Sequence, residues 1–263
     1  MLSYPFMQNA LMAGTLVAIL SPVIGMFLVL KRYSMMGDAL AHSSLAGVAI
    51  GIAIGISPTI SSVIFTTLAA FLIEYLRLHL KRYAEILMVV VMTLSVGIAI
   101  ILVSSGIANT NINQYLFGSI LTVTKADLLM ILFVTLITLF IIYYIYEELI
   151  YITFDEDGAN ITNIKVNLLN YIFALLMGLS IAVSIRITGV LVISSMIVLP
   201  VASAMQYKKG FTKTLMISII IALIDIIFGL ILSFYLDSAP GGTIALISVF
   251  TMLISLGINR NKI

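Results

Sequence analysis

Asp38 and His42 stand four residues apart in Gly-Asp-Ala-Leu-Ala-His-Ser-Ser-Leu-Ala-Gly (37–47), a segment that opens a long apolar run. On a helix, side chains at that spacing share one face. A carboxylate and an imidazole converging there can take a passing divalent cation, because carboxylate oxygen and neutral ring nitrogen both serve as metal ligands. Both groups are costly to place in hydrocarbon. The plainer alternative is that Asp38 caps a helix and His42 is a satisfied polar side chain. Rarity favours the first reading: only 9% of the residues are charged and only two are His.

The other polar candidates carry less. His79 lies in Arg77-Leu-His-Leu-Lys-Arg82, a basic loop in which a solvated side chain is the simpler expectation. Asp225 falls near the middle of an apolar run, and an acid inside a membrane is a functional candidate by default. It can line a pore, or pair with another helix, or make one structural hydrogen bond. Asp237 falls at the end of the same run and reads as interfacial. Ser194 and Ser195 can line a cavity, and Pro22 and Pro200 each remove a helical hydrogen bond.

The elements that must position these residues follow from composition. Apolar residues make up 62% of 263, and the formal net charge is only +2. Soluble domains carry roughly 25% charged residues. The charge is too small to suggest nucleic acid. With no Cys and 14 Met, disulfides and thiolate metal sites are excluded. The chain reads as one transmembrane domain spanning 1–263. Met1 to Ala10 lack a basic stretch and the apolar run after them is too long for a signal peptide, which argues against a cleavable leader.

A helix needs about 20 apolar residues to cross a bilayer. Nine runs approach that length: 6–30, 38–56, 59–76, 85–104, 127–146, 167–185, 188–206, 214–235 and 242–258. Eight or ten remain open, the weakest division lying near Arg186. The expectation is an all-α polytopic membrane protein of about nine transmembrane helices. Charge bias sets the orientation. With the N-terminus outside and the C-terminus cytoplasmic, Lys31, Arg32, Arg77, Lys81, Arg82, Lys165, Lys208, Lys209, Lys213, Arg260 and Lys262 all fall inside. Only Lys125 and Arg186 fall outside.

Within the second run, Ser43, Gly47, Gly51 and Gly55 recur every four residues, a spacing that lets helices approach closely in lipid. Asp38 and His42 lie about 100° around from this stripe. The outer connection 105–126 holds Gln-Tyr-Leu-Phe-Gly-Ser-Ile-Leu (114–121), which reads as a short re-entrant or interfacial segment. The inner connection 147–166 holds Phe-Asp-Glu-Asp-Gly-Ala-Asn-Ile-Thr-Asn (154–163), which reads as a short helix at the cytoplasmic surface. There is no Gly-x-x-x-x-Gly-Lys-[Ser/Thr] loop, so the chain should not hydrolyse ATP itself. His-Glu-x-x-His and Gly-x-Ser-x-Gly are absent too.

The segment 37–47 resembles the signature of bacterial ABC-3 family permeases, the membrane subunits of zinc, manganese and iron importers. Three further segments agree: Thr-Gly-Val-Leu-Val-Ile-Ser-Ser-Met-Ile-Val-Leu-Pro-Val-Ala-Ser-Ala (188–204), Tyr-Leu-Phe-Gly-Ser-Ile-Leu (115–121) and the turn Asp-Ser-Ala-Pro-Gly-Gly (237–242). The resemblance implies a homodimer in the bacterial inner membrane, docked on two ATP-binding-cassette ATPase subunits and fed by an extracellular metal-binding protein. It implies that the segment beginning Phe154-Asp155, with Glu156, Asp157 and Ala159, carries the helix that contacts the ATPase. Gly158 departs from the bulkier residue usual there, and Asn163 from a frequent Gly. Ala46 replaces a proline often found in the signature, which is closer to the zinc members. By the same resemblance Asp38 and His42 are transient metal ligands.

The expectation is therefore a non-enzymatic permease with no resident cofactor, importing zinc, with manganese or iron as the alternatives. One rival is a permease for cobalamin or iron-siderophore, whose large cargo needs no carboxylate–imidazole pair. A second is an ion-coupled secondary transporter centred on Asp225, working without an ATPase. A membrane-embedded enzyme is the third, disfavoured because no acid–base cluster appears beyond Asp38 and His42.

Overall fold

Backbone polar groups in hydrocarbon find partners only within their own segment, so long apolar runs become helices. The structure is a computed structural model that describes residues 4–108, 112–119 and 122–259. These form α1 (Pro5–Leu30), α2 (Ser34–Ile54), α3 (Pro58–His79), α4 (Ala84–Ser104), α5 (Ile112–Phe117) and α6 (Lys125–Tyr144). Then follow α7 (Tyr146–Phe154), α8 (Glu156–Ile161), α9 (Val166–Thr188), α10 (Val190–Met205), α11 (Phe211–Tyr235) and α12 (Pro240–Asn259). Among the described residues, eight helices are long and apolar enough to cross a membrane, and α10 is a shorter apolar ninth of 16 residues. Arg260 and Lys262 of the charge-bias argument, and Ile120 and Leu121 of the outer segment, lie outside the described residues.

Local signals set the ends. Pro5 and Pro58 stand in the first turn of α1 and α3, where a missing N–H costs nothing. Gly55, at φ 74°, closes α2 in the left-handed conformation that glycine adopts freely. Thr124 and Asp127 form a reciprocal capping box that opens α6.

The bundle has an inside and a periphery. Over their apolar windows α1 and α9 are 72% buried, against 22% for α4. One apolar core joins α1, α2, α3 and α9 around Phe27, Leu40, Ile73 and Met177, and a second joins α1, α6, α10, α11 and α12 around Met7, Leu20 and Ile226. Close approach depends on absent side chains. A methyl at Gly25 of α1 would run into the Ile197 carbonyl of α10. Both helices continue through their prolines, Pro22 and Pro200.

Two sequence expectations need correcting. The second span starts at Ser34 rather than at 38, so residues 34–37 are helix and only Lys31 to Tyr33 connect α1 to α2. A Ser and a Gly read as loop, yet tertiary packing buries Met36 and Gly37 and carries the helix through them. The small-residue stripe is also not one uniform contact. Ser43 meets α4, through a 2.9 Å hydrogen bond to Ser95. Gly47 and Gly51 meet α3, where an added Cβ would sit 2.7 Å from Ser62 Cα and 2.7 Å from Ser61 Cβ. Gly55 is the cap.

At one end, α5 is tucked against the α9–α10 turn. Ser119 N–H donates to the Arg186 carbonyl at 3.2 Å. Gly118, Gly189 and Gly241 meet here with no room for a methyl: a Cβ on Gly118 would strike the Ile187 carbonyl, and one on Gly241 the Thr188 carbonyl. Gly189 takes φ 77°. The turn that starts α10 is thus covered by α5 and α12. Irregular backbone is tolerated at depth only when protein encloses it. The segment expected to be re-entrant or interfacial forms the short helix α5 over 112–117.

Candidate functional site

Asp38 sits in the second turn of α2, about 6 Å along the axis from its start. Its side chain is exposed and His42, one turn on, is half-buried. Among the described residues neither makes a hydrogen bond or ion pair with another side chain, and no group of three or more His, Cys, Asp or Glu gathers around a common point. The two ligand types thus stay on one helix face as expected, and the rest of any coordination shell must come from water or from outside this chain.

The other polar candidates stand elsewhere in the bundle, and the Ser44 hydroxyl on the same helix is buried without a hydrogen-bond partner. Asp225 is fully buried in α11, where Ser248 of α12 donates to its Oδ2 at 2.5 Å and Thr251 reaches the same oxygen at 3.4 Å. Its Oδ1 has no partner. No hydrogen bond joins it to Asp38 or His42, so the structure does not gather the two acids into one site. Ser194 and Ser195 are half-buried on α10, which packs against α1, α2, α11 and α12. His79 is exposed at the end of α3, its Nδ1 2.8 Å from the Tyr75 carbonyl and its ring against that of Tyr75. The basic loop expected at 77–82 needs correcting: α3 runs through His79 and Arg77 is buried against Glu74, while the His79 side chain is exposed.

The acidic segment 154–163 does hold a helix, α8, preceded by α7. Asp155 caps it by accepting from the Gly158 N–H at 2.8 Å. A methyl at 158 would collide with the Asp155 carboxylate. The glycine at the position where the resembling family is bulkier is therefore coupled to a folded-over cap. Ala159 is buried, whereas Phe154 projects 66% exposed and Asp157 is exposed beside it. Glu156 points inward.

Two charge clusters escaped the sequence reading. At the α5 end, Arg186 of α9 pairs with Asp127 of α6 at 2.5 Å, lies 3.3 Å from the Thr59 hydroxyl of α3 and stacks over Tyr115 of α5. At the α8 end, Arg77 forks onto Glu74, with bonds of 2.9 and 2.6 Å, and both are buried. Lys31, Asn170 and Glu156 continue that cluster. Burial holds the Lys31 ammonium down to about 8, against an opposing pull from Glu156. Burial likewise lifts the Tyr33 phenol to about 12, with Arg77 opposing. Only the Glu74–Arg77 spacing, three residues on one helix, was a readable signal. The remaining pairs lie on different elements, 14 to 139 residues apart.

Comparison with known proteins follows the same lines. Residues 3–259 match the ABC 3 transport family. The chain is 43% identical to a "Probable metal transport system membrane protein" of Treponema pallidum, covering 99% of this chain and 98% of that one. It is 30% identical to a high-affinity zinc uptake system membrane protein of Buchnera aphidicola, over 93% and 94% of the two chains. It is 31% identical to a manganese transport system membrane protein of Halalkalibacterium halodurans, over 94% and 85%. The fold superposes on PsaBC from Streptococcus pneumoniae, solved with a Fab, at a TM-score of 0.85 and 28% identity, covering 96% of this chain and 91% of that one.

Proposed function

This chain belongs to the ABC 3 transport family, and from that premise we propose that it is the permease subunit of an ATP-driven importer of divalent metal ions, zinc first among them. The observation that carries the site is the free carboxylate of Asp38 with His42 one turn away. Acids buried in the bundle are engaged in whole or in part: Glu74 by Arg77, Asp127 by Arg186, and one oxygen of Asp225 by Ser248. An unpartnered acid beside an imidazole on a membrane helix is a place kept for a cation.

Two protein ligands completed by water hold an ion less tightly than a closed four-ligand cage. That suits transport, where binding must be weak enough to release the cargo. The charge bias orients the α8 end toward the cytoplasm. There α7 and α8 abut the ATPase, with exposed Phe154 and Asp157 at the contact. Two copies of the chain side by side enclose the conduit, and an extracellular metal-binding protein delivers the ion at the α5 end. Zinc is preferred on Ala46, the residue that departs from the proline of the signature. Relatives described for zinc and for manganese are similarly close, so ligand type alone does not rank these metals.

The test is metal uptake into proteoliposomes holding this chain with its ATPase subunit. ATP-dependent zinc uptake, displaced poorly by manganese, is the expected result. Asp38→Ala and His42→Ala should each abolish it while the complex still assembles. Preferential displacement by manganese would reassign the metal. Uptake by the chain alone, driven by an ion gradient and lost in Asp225→Asn, would replace the importer with a secondary transporter.

A further inference from the structure

At the α8 end, one run of polar contacts ties five elements together. Lys31, just past α1, donates Nζ to the Asn170 side-chain oxygen of α9 at 2.7 Å. The Asn170 amide then donates to Glu156 Oε1 of α8 at 3.3 Å. The other Glu156 oxygen faces Arg77 Nη1 of α3 at 3.9 Å. Arg77, held by Glu74, lays its guanidinium over the Tyr33 ring, 5.0 Å from the centroid. Tyr33 is the residue that caps the start of α2. Glu156 is thus the one side chain of α8 that reaches both neighbours of the α1–α2 connection: Lys31 through Asn170, and Tyr33 through Arg77.

Two properties make this run a transmitter. Glu74, Arg77 and Asn170 are 2%, 7% and 3% exposed. In such low-dielectric surroundings a polar network resists partial opening, because each member left alone bears its full desolvation cost. It moves together or parts together. The α1–α2 connection, by contrast, is not backed by solid packing. A cleft of about 480 Å³ lies beside it, lined by Arg32, Tyr33, Ser34, Met35, Arg82 and Tyr83 among others. A stiff linkage on one side and free volume on the other let that connection shift.

We propose that Glu156 is a positioning residue that passes displacement of α8 to the start of α2, and so sets the placement of Asp38 and His42. This rests on the functional reading above, in which α8 abuts the ATPase. Glu156 touches no metal. It acts through Asn170–Lys31 on one side and Arg77–Tyr33 on the other.

The chain contains no Cys, so Met35→Cys, at an exposed position four residues after Lys31, supplies a single thiol at the moving end. In proteoliposomes with the ATPase subunit, three quantities are read: maleimide labelling of that thiol with and without a non-hydrolysable ATP analogue, ATP hydrolysis, and zinc imported per ATP. With Glu156 present, the analogue should change the labelling rate several-fold. In Glu156→Ala that response should vanish and zinc per ATP should fall about tenfold, while assembly and hydrolysis persist; Glu156→Gln, which keeps an acceptor for Asn170, should fall between. Asn170→Leu and Lys31→Met cut one branch of the run without changing the sequence of α8 and should each lose part of the response, which guards against a misfolded α8. A full labelling response and unchanged zinc per ATP in these variants would overturn the proposal. If the chain with Glu156 intact binds no ATPase subunit, the functional reading itself falls, and this proposal with it.

Discussion

Asp38, near the start of α2, and Asp225, midway along α11, are both carboxylates on helices long enough to cross a membrane, yet their surroundings are opposite. Asp225 is enclosed, with two hydroxyls of α12 gathered on one oxygen. Asp38 is exposed, with an imidazole one turn away and no partner in the described chain. By default either acid is a functional candidate. The difference in partners separates them: one oxygen of Asp225 ties α11 to α12 while its Oδ1 stays without a partner, and Asp38, open and without a side-chain partner among the described residues, is under the proposed function the acid left to take a cation.

The largest expected effect breaks or keeps this contrast directly. Asp38→Ala should lower the initial rate of metal uptake about 100-fold or more, in line with what lost metal contacts cost, while Asp225→Asn should leave it near the starting rate. The reverse order, measured in the same vesicles, would exchange the roles of the two acids. Stability should run the other way. Arg77→Leu strands the buried Glu74 carboxylate and should cost about 3–5 kcal/mol, whereas Asp38→Ala should stay within about 0.5 kcal/mol, both read from denaturation of the detergent-solubilised protein. Ser248→Ala removes the shortest donor to Asp225 and should cost about 1.5–3 kcal/mol. A smaller loss there would mean that α11 and α12 are held by apolar packing alone.

Lys31 gives the finest test, because it is a partnered charge whose burial is only partly offset. The folded chain sheds its proton near pH 8, against an ordinary value of 10.5. Between those limits the unfolded chain binds more protons, so stability rises with pH as the cost of burying the ammonium is lifted. Melting temperature should climb modestly from pH 8 toward pH 10 and should lose that climb in Lys31→Met. An unchanged climb in the variant would place its source elsewhere.

The spans were legible because bilayer thickness fixes the length of an apolar run, and eight of nine came out within a few residues at each end. The start of α2 was not, since Ser34 and Gly37 look like a loop until Met36 is seen packed beneath them. The Asp38–His42 spacing was readable because both ligands lie on one helix. The Lys31–Asn170–Glu156 run and the Arg186–Asp127 pair were not, because no periodicity joins residues on separate helices. Asp127 could be read only as far as its local role, three residues after Thr124 at the head of α6.

At the α5 end, Gly118, Gly189 and Gly241 bring main chain directly against main chain. Rotamers turn over in nanoseconds at most, whereas collective motions of whole helices take microseconds or longer. A barrier made of amino-acid side chains can leak as they flicker; one made of touching peptide groups cannot. That junction therefore parts only when entire segments draw apart, on the slower clock.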